Sequence, residues 1–249
     1  MITSSGSDAP LLEVEALSVR YGHVEAVRDA SLSVAPGEFV SIIGNNGAGK
    51  TSTLKAIAGV VRPASGRVRI RGVETQGMPT HRIVQMGVCL VPEGRMIFAD
   101  QTVLDNLMLG AYSRSRNNRK TLDADLDRAF ELFPILKERR TQIAGSLSGG
   151  EQQMLALSRG LLSHPELLMI DEMSLGLAPR VLETMFPALE RLNRGGIAIL
   201  LVEQLATMAL RVADRGYVFE NSRIILSGAA SELARNEQVV RAYLGRRAA

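Results

Sequence analysis

The chain has 249 residues, 46% of them apolar, enough for one large or two small domains with a packed core. No run approaches the roughly 18 consecutive apolar residues of a membrane-spanning helix, and a net charge of +3 is too mild to argue for a nucleic-acid partner. The single cysteine, Cys89, excludes an internal disulfide and any cysteine-based metal cluster.

Residues 1–10 are small and polar and lack the basic start and apolar run of a signal peptide. They read as a disordered tail on a chain that stays in the cytosol. Residues 12–17 alternate apolar with polar, as a half-buried strand does, and the pattern runs through Val19 to Tyr21-Gly22. A second alternating run, 30–34, ends at the turn Pro36-Gly37, so early antiparallel strands are expected. The apolar run 38–43 reads as a strand, and residues 52–59, ending at a glycine, as a helix. Residues 66–72 alternate arginine with apolar side chains, a strand with one wet face. Residues 86–91 read as a fully buried strand that carries the Cys89 thiol inward and stops at Pro92-Glu93-Gly94.

From 102 to 145 apolar residues recur at helical spacing (Val103, Leu107; Leu122, Leu126, Phe130, Phe133), which predicts a helical subdomain inserted into the sheet, its far boundary near 165. Arg114, Arg116, Arg119 and Lys120, around Asn117-Asn118, read as a solvated loop rather than a contact with anionic lipid or nucleic acid. Buried strands return at 167–170 and 197–202, with helical segments at about 178–193 and 205–212 between and after them. Buried strands alternating with helices predict a mainly parallel α/β sheet. An alternating pair, 216–220 and 223–226, precedes a C-terminal helix expected over 230–244, and residues 11–249 read as one domain.

Three stretches carry chemistry. Gly44-Asn45-Asn46-Gly47-Ala48-Gly49-Lys50-Thr51 fits the phosphate-binding loop of nucleotide triphosphatases, and it sits between the expected strand and helix that such a loop requires. Glycines let the backbone wrap phosphate oxygens, its N–H groups point inward, and the helix opened at Ser52 favours anions at its start. Lys50 brings a cation to the β- and γ-phosphates, and Thr51 offers a hydroxyl to Mg²⁺. The second stretch is the apolar strand that ends in Asp171-Glu172. Beside a phosphate loop, the first acid can hold Mg²⁺ and the second can take a proton from an attacking water. The third, Leu147-Ser148-Gly149-Gly150-Glu151-Gln152-Gln153, places a serine cap and two glycines at a helix start. It is either an ordinary cap or a second phosphate-binding end, and a nucleotide shared between two chains would explain the latter.

In this order and spacing the three stretches resemble the ATP-binding subunit of an ABC transporter, over nearly the whole chain. The resemblance implies a phosphate-loop α/β fold with an N-terminal antiparallel region, and a head-to-tail dimer with a second identical or homologous ATP-binding subunit. Each ATP would lie between one chain's loop (Gly44 to Ser52) and the other's Ser148, Gly149 and Gly150. It implies further that Tyr21 stacks on adenine, although a strand-end core tyrosine is the alternative. Asp171 would be the Mg²⁺-linked acid, Glu172 the catalytic base, and Ser174-Leu175-Gly176-Leu177-Ala178-Pro179 the loop crossing the dimer interface.

Three positions depart from the family pattern. Glu93 stands where a Mg²⁺-touching glutamine is usual, Gln204 replaces the switch histidine on the γ-phosphate, and Met173 replaces a proline. Gln204 can hydrogen-bond phosphate but cannot titrate. Residues 91–95, 174–179, 202–204 and 213–217 are similar to one ATPase subunit of bacterial branched-chain amino-acid importers, whose relatives take up urea, amides or other amino acids. Two membrane-spanning permease subunits, a solute-binding protein beyond them, and a place on the cytoplasmic face of the membrane are then implied, with no nucleic acid. A DNA-repair ATPase would need long coiled coils between Thr51 and Leu147, a ribosome-binding ATPase two cassettes, and a small-molecule kinase would lack the Leu147 signature.

Overall fold

The computed structural model describes residues 9–112 and 121–244. In chain order, β1 (Leu12–Tyr21), β2 (Val24–Val34) and β3 (Phe39–Gly44) lead into α1 (Lys50–Ile57). There follow β4 (Ser65–Ile70), β5 (Val73–Glu74), α2 (Thr80–Gln85) and β6 (Val88–Val91). Four helices come next: α3 (Val103–Gly110), α4 (Leu122–Leu132), α5 (Pro134–Glu138) and α6 (Gly149–Leu161). β7 (Leu167–Asp171), α7 (Pro179–Arg194), β8 (Ala198–Glu203), α8 (Ala206–Val212), β9 (Arg215–Glu220) and β10 (Arg223–Ala229) complete two sheets.

The first sheet is antiparallel, in the order β2-β1-β4-β5; the second has the order β10-β9-β3-β8-β7-β6 and is parallel except at β9–β10. Period-two alternation sorts the parallel strands' side chains onto two faces. Phe39 and Ile43 of β3, Leu168 and Ile170 of β7, and Ile199 and Leu201 of β8 pack with the helices. Val40, Ile42, Leu167, Met169, Leu200 and Val202 pack on the other side with β1, β2 and α1. A sheet buried on both faces explains why these strands read as continuous apolar runs. On β4 the wet face is ordered by charge: Arg69 donates to Glu13 (2.9 Å) and Glu15 (2.8 Å) of β1.

The structure corrects two expectations and adds two elements the sequence did not mark. The strand expected at 86–91 is shorter and not fully buried: β6 is an edge strand, and Cys89 and Leu90 are half-buried. The Cys89 thiol still lies against α6 near Gly160, and burial pushes its pKa up. The C-terminal helix is broken into α9 (Ala230–Leu233), α10 (Glu237–Val239) and a π-type turn, Val240–Leu244. Asn236 causes the break, because its side chain accepts from the N–H groups of Gln238 (2.9 Å) and Val239 (3.3 Å) and so caps a new start. Residues 73–85, to which the sequence assigned nothing, form β5 and α2. Arg114, Arg116, Asn117, Asn118, Arg119 and Lys120 lie outside the described residues, as do residues 1–8 of the expected tail.

Candidate active site

Four strand ends converge. β3 delivers residues 44–51, β7 delivers Asp171-Glu172, β8 delivers Glu203-Gln204, and β1 delivers Tyr21. The carboxyl ends of parallel strands are where open α/β sheets bind ligands. In the loop, Gly47 (φ 76°) and Gly49 (φ 109°) take left-handed backbone conformations. A Cβ on Gly49 would also run into the Ala26 carbonyl oxygen, so glycine is required there twice over.

Lys50 is 3% exposed. Its ammonium donates to the carbonyls of Gly44 (2.8 Å) and Asn45 (3.0 Å) and pairs with Glu172 Oε1 at 3.2 Å. The other carboxylate oxygen of Glu172 accepts from Gln204 Nε2 at 2.5 Å. Thr51 Oγ1 donates to Asp171 Oδ1 at 3.0 Å. Burial pushes the Asp171 carboxyl up to about 6, with like charge from Glu172 and Glu93 adding to it and the Thr51 bond opposing it. The fold thus brings Lys50, Thr51, Asp171, Glu172 and Gln204 within direct reach of one another.

Tyr21, 45% exposed, shares a cleft of about 260 Å³ with Gly47, Lys50, Thr51, Ser52 and Glu172; Ala48 and Gly49 complete its floor. Two larger clefts, about 380 and 390 Å³, lie elsewhere. Convergence of polar groups, not volume, therefore singles out this one. Asn45 and Asn46 are exposed at the loop's outer turn, and Glu93 is exposed and acts on Asp171 through its charge. Ser148, Gly149 and Gly150 do not line the cleft. They form the start of α6, where Ser148 and Glu151 make a reciprocal capping box. Gly150 also packs so closely on Val181 that a methyl group there would collide with it.

Oxygen donors in an anionic field suit a hard divalent cation. Thr51 and Asp171 supply two such oxygens, and among the described residues no three His, Cys, Asp or Glu side chains form a metal-holding group by themselves. Phosphate oxygens and water would have to complete the shell.

One functional candidate escaped the sequence reading. Glu203 is fully buried (0% exposed); its carboxylate accepts from the Ser174 N–H (3.0 Å) and Oγ–H (2.5 Å). The signal was available, since an apolar run ending in an acid is the pattern that marked Asp171. Burial pushes Glu203 up to about 7, against the Ser174 bonds and with help from Glu172. The folded state therefore keeps this proton to about pH 7, whereas the unfolded chain loses it near 4.5. Stability linked to Glu203 is present below pH 4.5 and is lost as pH rises towards 7, by about 3 kcal/mol. Glu203→Gln is expected to flatten the fall in melting temperature between pH 5 and 8; parallel curves for the two proteins would refute it.

Residues 27–174 match the family model described as ABC transporter. The chain is 44% identical over 235 residues to the high-affinity branched-chain amino acid transport ATP-binding protein BraG of Pseudomonas aeruginosa, covering 94% of this chain and 100% of that one. It is 31% identical over 251 residues to the high-affinity branched-chain amino acid transport ATP-binding protein LivG of Escherichia coli K12, covering 95% and 98%. A nucleotide-free ATP-binding cassette from an ABC transporter has the same fold, with a TM-score of 0.81 at 26% identity over 96% of this chain and 100% of that chain.

Proposed function

The chain belongs to the ABC transporter family, and we propose that it is the ATP-hydrolysing subunit of an importer for branched-chain amino acids, working through separate membrane subunits. One observation carries the chemistry: Glu172 is held between Lys50 and Gln204, while the preceding Asp171 accepts from Thr51. The similarity to BraG supports the substrate.

On this reading the γ-phosphate of ATP competes with Glu172 for the Lys50 ammonium. A carboxylate released from that ion pair turns to the attacking water and accepts its proton, while Gln204 keeps it oriented. Lys50 then neutralises charge that builds on the transferred phosphoryl group. Mg²⁺, held by Thr51 and Asp171, would supply further positive charge to the phosphates. Tyr21 offers its exposed ring to the adenine. Glu93, whose charge acts on Asp171, would tune the charge of the site where Thr51 and Asp171 would hold the metal.

Ser148, Gly149 and Gly150 open α6 outside the cleft lined by the phosphate loop of their own chain, and a helix start suits an anion, which supports a composite site. Ser148, Gly149 and Gly150 serve the nucleotide of a second ATP-binding subunit, identical or homologous. The helical elements between about 102 and 165 form the subdomain that meets two permease subunits, with a solute-binding protein reached through them. Exposed apolar Met108 and Tyr112 in this region, with Met96 and Phe98 just before it, support such a contact. Among the described residues no helix is long and apolar enough to cross a membrane. On this reading the chain sits on the cytoplasmic face by binding those partners.

The test is ATP hydrolysis by the assembled transporter, this chain copurified with its membrane subunits and solute-binding protein. Leucine, isoleucine and valine are expected to stimulate it. Stimulation by urea or glutamate instead moves the substrate and keeps the mechanism, and failure of any membrane subunit to copurify removes the importer reading.

A further inference from the structure

Glu203, the last residue of β8, and Gln204, which follows it, both grip one short segment. Gln204 donates to the Glu172 carboxylate, and Glu203 takes both the N–H and the hydroxyl of Ser174, two residues further along. Between these grips the backbone is strained: Glu172 sits at φ 47°, a left-handed conformation that costs energy for any residue with a Cβ. Such a conformation persists only where its surroundings over-determine it. On the upstream side Asp171 is fixed in β7 against Val202, and the Glu172 N–H donates to the Val202 carbonyl at 2.9 Å. On the downstream side the side-chain tie is Ser174 on Glu203. Met173, buried between the two, contributes packing but no polar hold.

Packing alone does not call for an acid at this position. A fully buried carboxyl group is costly unless its oxygens are bonded, and an apolar side chain would fill the space at lower cost. Both Glu203 oxygens are used on Ser174. Glu172 is the charged group that acts on Glu203 across the segment, itself paired with Lys50.

We propose that Glu203 is a positioning residue for hydrolysis: by fastening Ser174 it holds the strained Glu172 backbone, and the loop 174–179 that follows, in register with Gln204. The proposal rests on the reading of Glu172 as the base. It adds that the base and the loop leading out of the site are set by one strand end and move as a unit.

Steady-state hydrolysis by the full chain tests it. Glu203→Ala is expected to lower kcat about 10–100-fold, because a base misplaced by about 1 Å costs that much. KM for ATP should stay within about threefold, since the phosphate loop is untouched. Glu203→Gln can accept from the Ser174 N–H with Oε1 and donate to Oγ with Nε2, so it should restore kcat to within roughly threefold of the parent. Ser174→Ala should lower kcat at constant KM, and combining it with Glu203→Ala should add little, as expected for two ends of one contact. A normal kcat in Glu203→Ala, a matched rise in KM, or a loss that glutamine fails to restore would overturn the proposal. Should Glu203→Ala not fold, Ser174→Ala decides: lower kcat at constant KM supports the tie, and parental kcat refutes it. Glu172→Gln separates the two levels. If it hydrolyses ATP normally, the base reading falls and the proposal with it. If it is inactive while Glu203→Ala turns over normally, the proposal alone falls.

Discussion

Glu172→Gln is expected to lower kcat by about 10²–10⁴-fold, the range supplied by a positioned general base, while ATP binding survives. The amide is nearly isosteric, so it keeps its place beside Gln204 and at the end of β7, but it cannot take a proton from water. It also removes a negative charge 3.2 Å from the Lys50 ammonium. A phosphate arriving at Lys50 then has no carboxylate to displace and none to repel it, so ATP affinity should hold or rise. With hydrolysis blocked and ATP retained, the nucleotide-bound dimer should accumulate. Single-turnover hydrolysis with radiolabelled ATP measures the first effect, and size-exclusion chromatography with saturating ATP measures the second. A monodisperse monomer, with the partner subunit present, would defeat the composite site even if hydrolysis fell as expected.

What the sequence made legible were features written locally. The phosphate loop is a contiguous string whose glycines answer to backbone geometry, and Gly49 requires its glycine for the reason the motif implies. The Ser148–Glu151 cap spans three residues and was readable for the same reason. Buried parallel strands announced themselves as apolar runs because both faces are covered. The features that stayed hidden depend on which strands become neighbours. β8 pairs with β7, which brings Gln204 onto Glu172 and Glu203 onto Ser174, and β3 lies between β8 and β9, which sets the phosphate loop beside them; no local pattern specifies that order. The edge position of β6 is likewise a property of sheet order, and it left Cys89 and Leu90 half-covered where an apolar run promised full burial. The break at Asn236 was missed for a different reason: helical periodicity on both sides outweighed one capping side chain.

Lys50→Met is expected to cost both activity and stability, and the two losses should separate on adding Glu172→Gln. Lys50 and Glu172 are 3% and 8% exposed, so the pair is effectively desolvated. Removing the amine strands a buried carboxylate whose remaining donor is Gln204, beside the like charge of Asp171. It also strips a donor from the Gly44 and Asn45 carbonyls. Breaking one side of a buried pair costs about 3–5 kcal/mol. In a chain of this size that corresponds to a fall in melting temperature of roughly 6–20 °C. Adding Glu172→Gln removes the stranded charge, so the double variant should regain most of that loss while hydrolysis stays abolished, because neither the phosphate ligand nor the base returns. Calorimetry of the two single variants, the double variant and the parent gives the coupling directly. A double variant no more stable than Lys50→Met would mean that Glu172 escapes to solvent once its partner is gone. The grip of Gln204 and β8 on it would then be weaker than its left-handed backbone requires, and the case for Glu203 as the anchor of that segment would weaken with it.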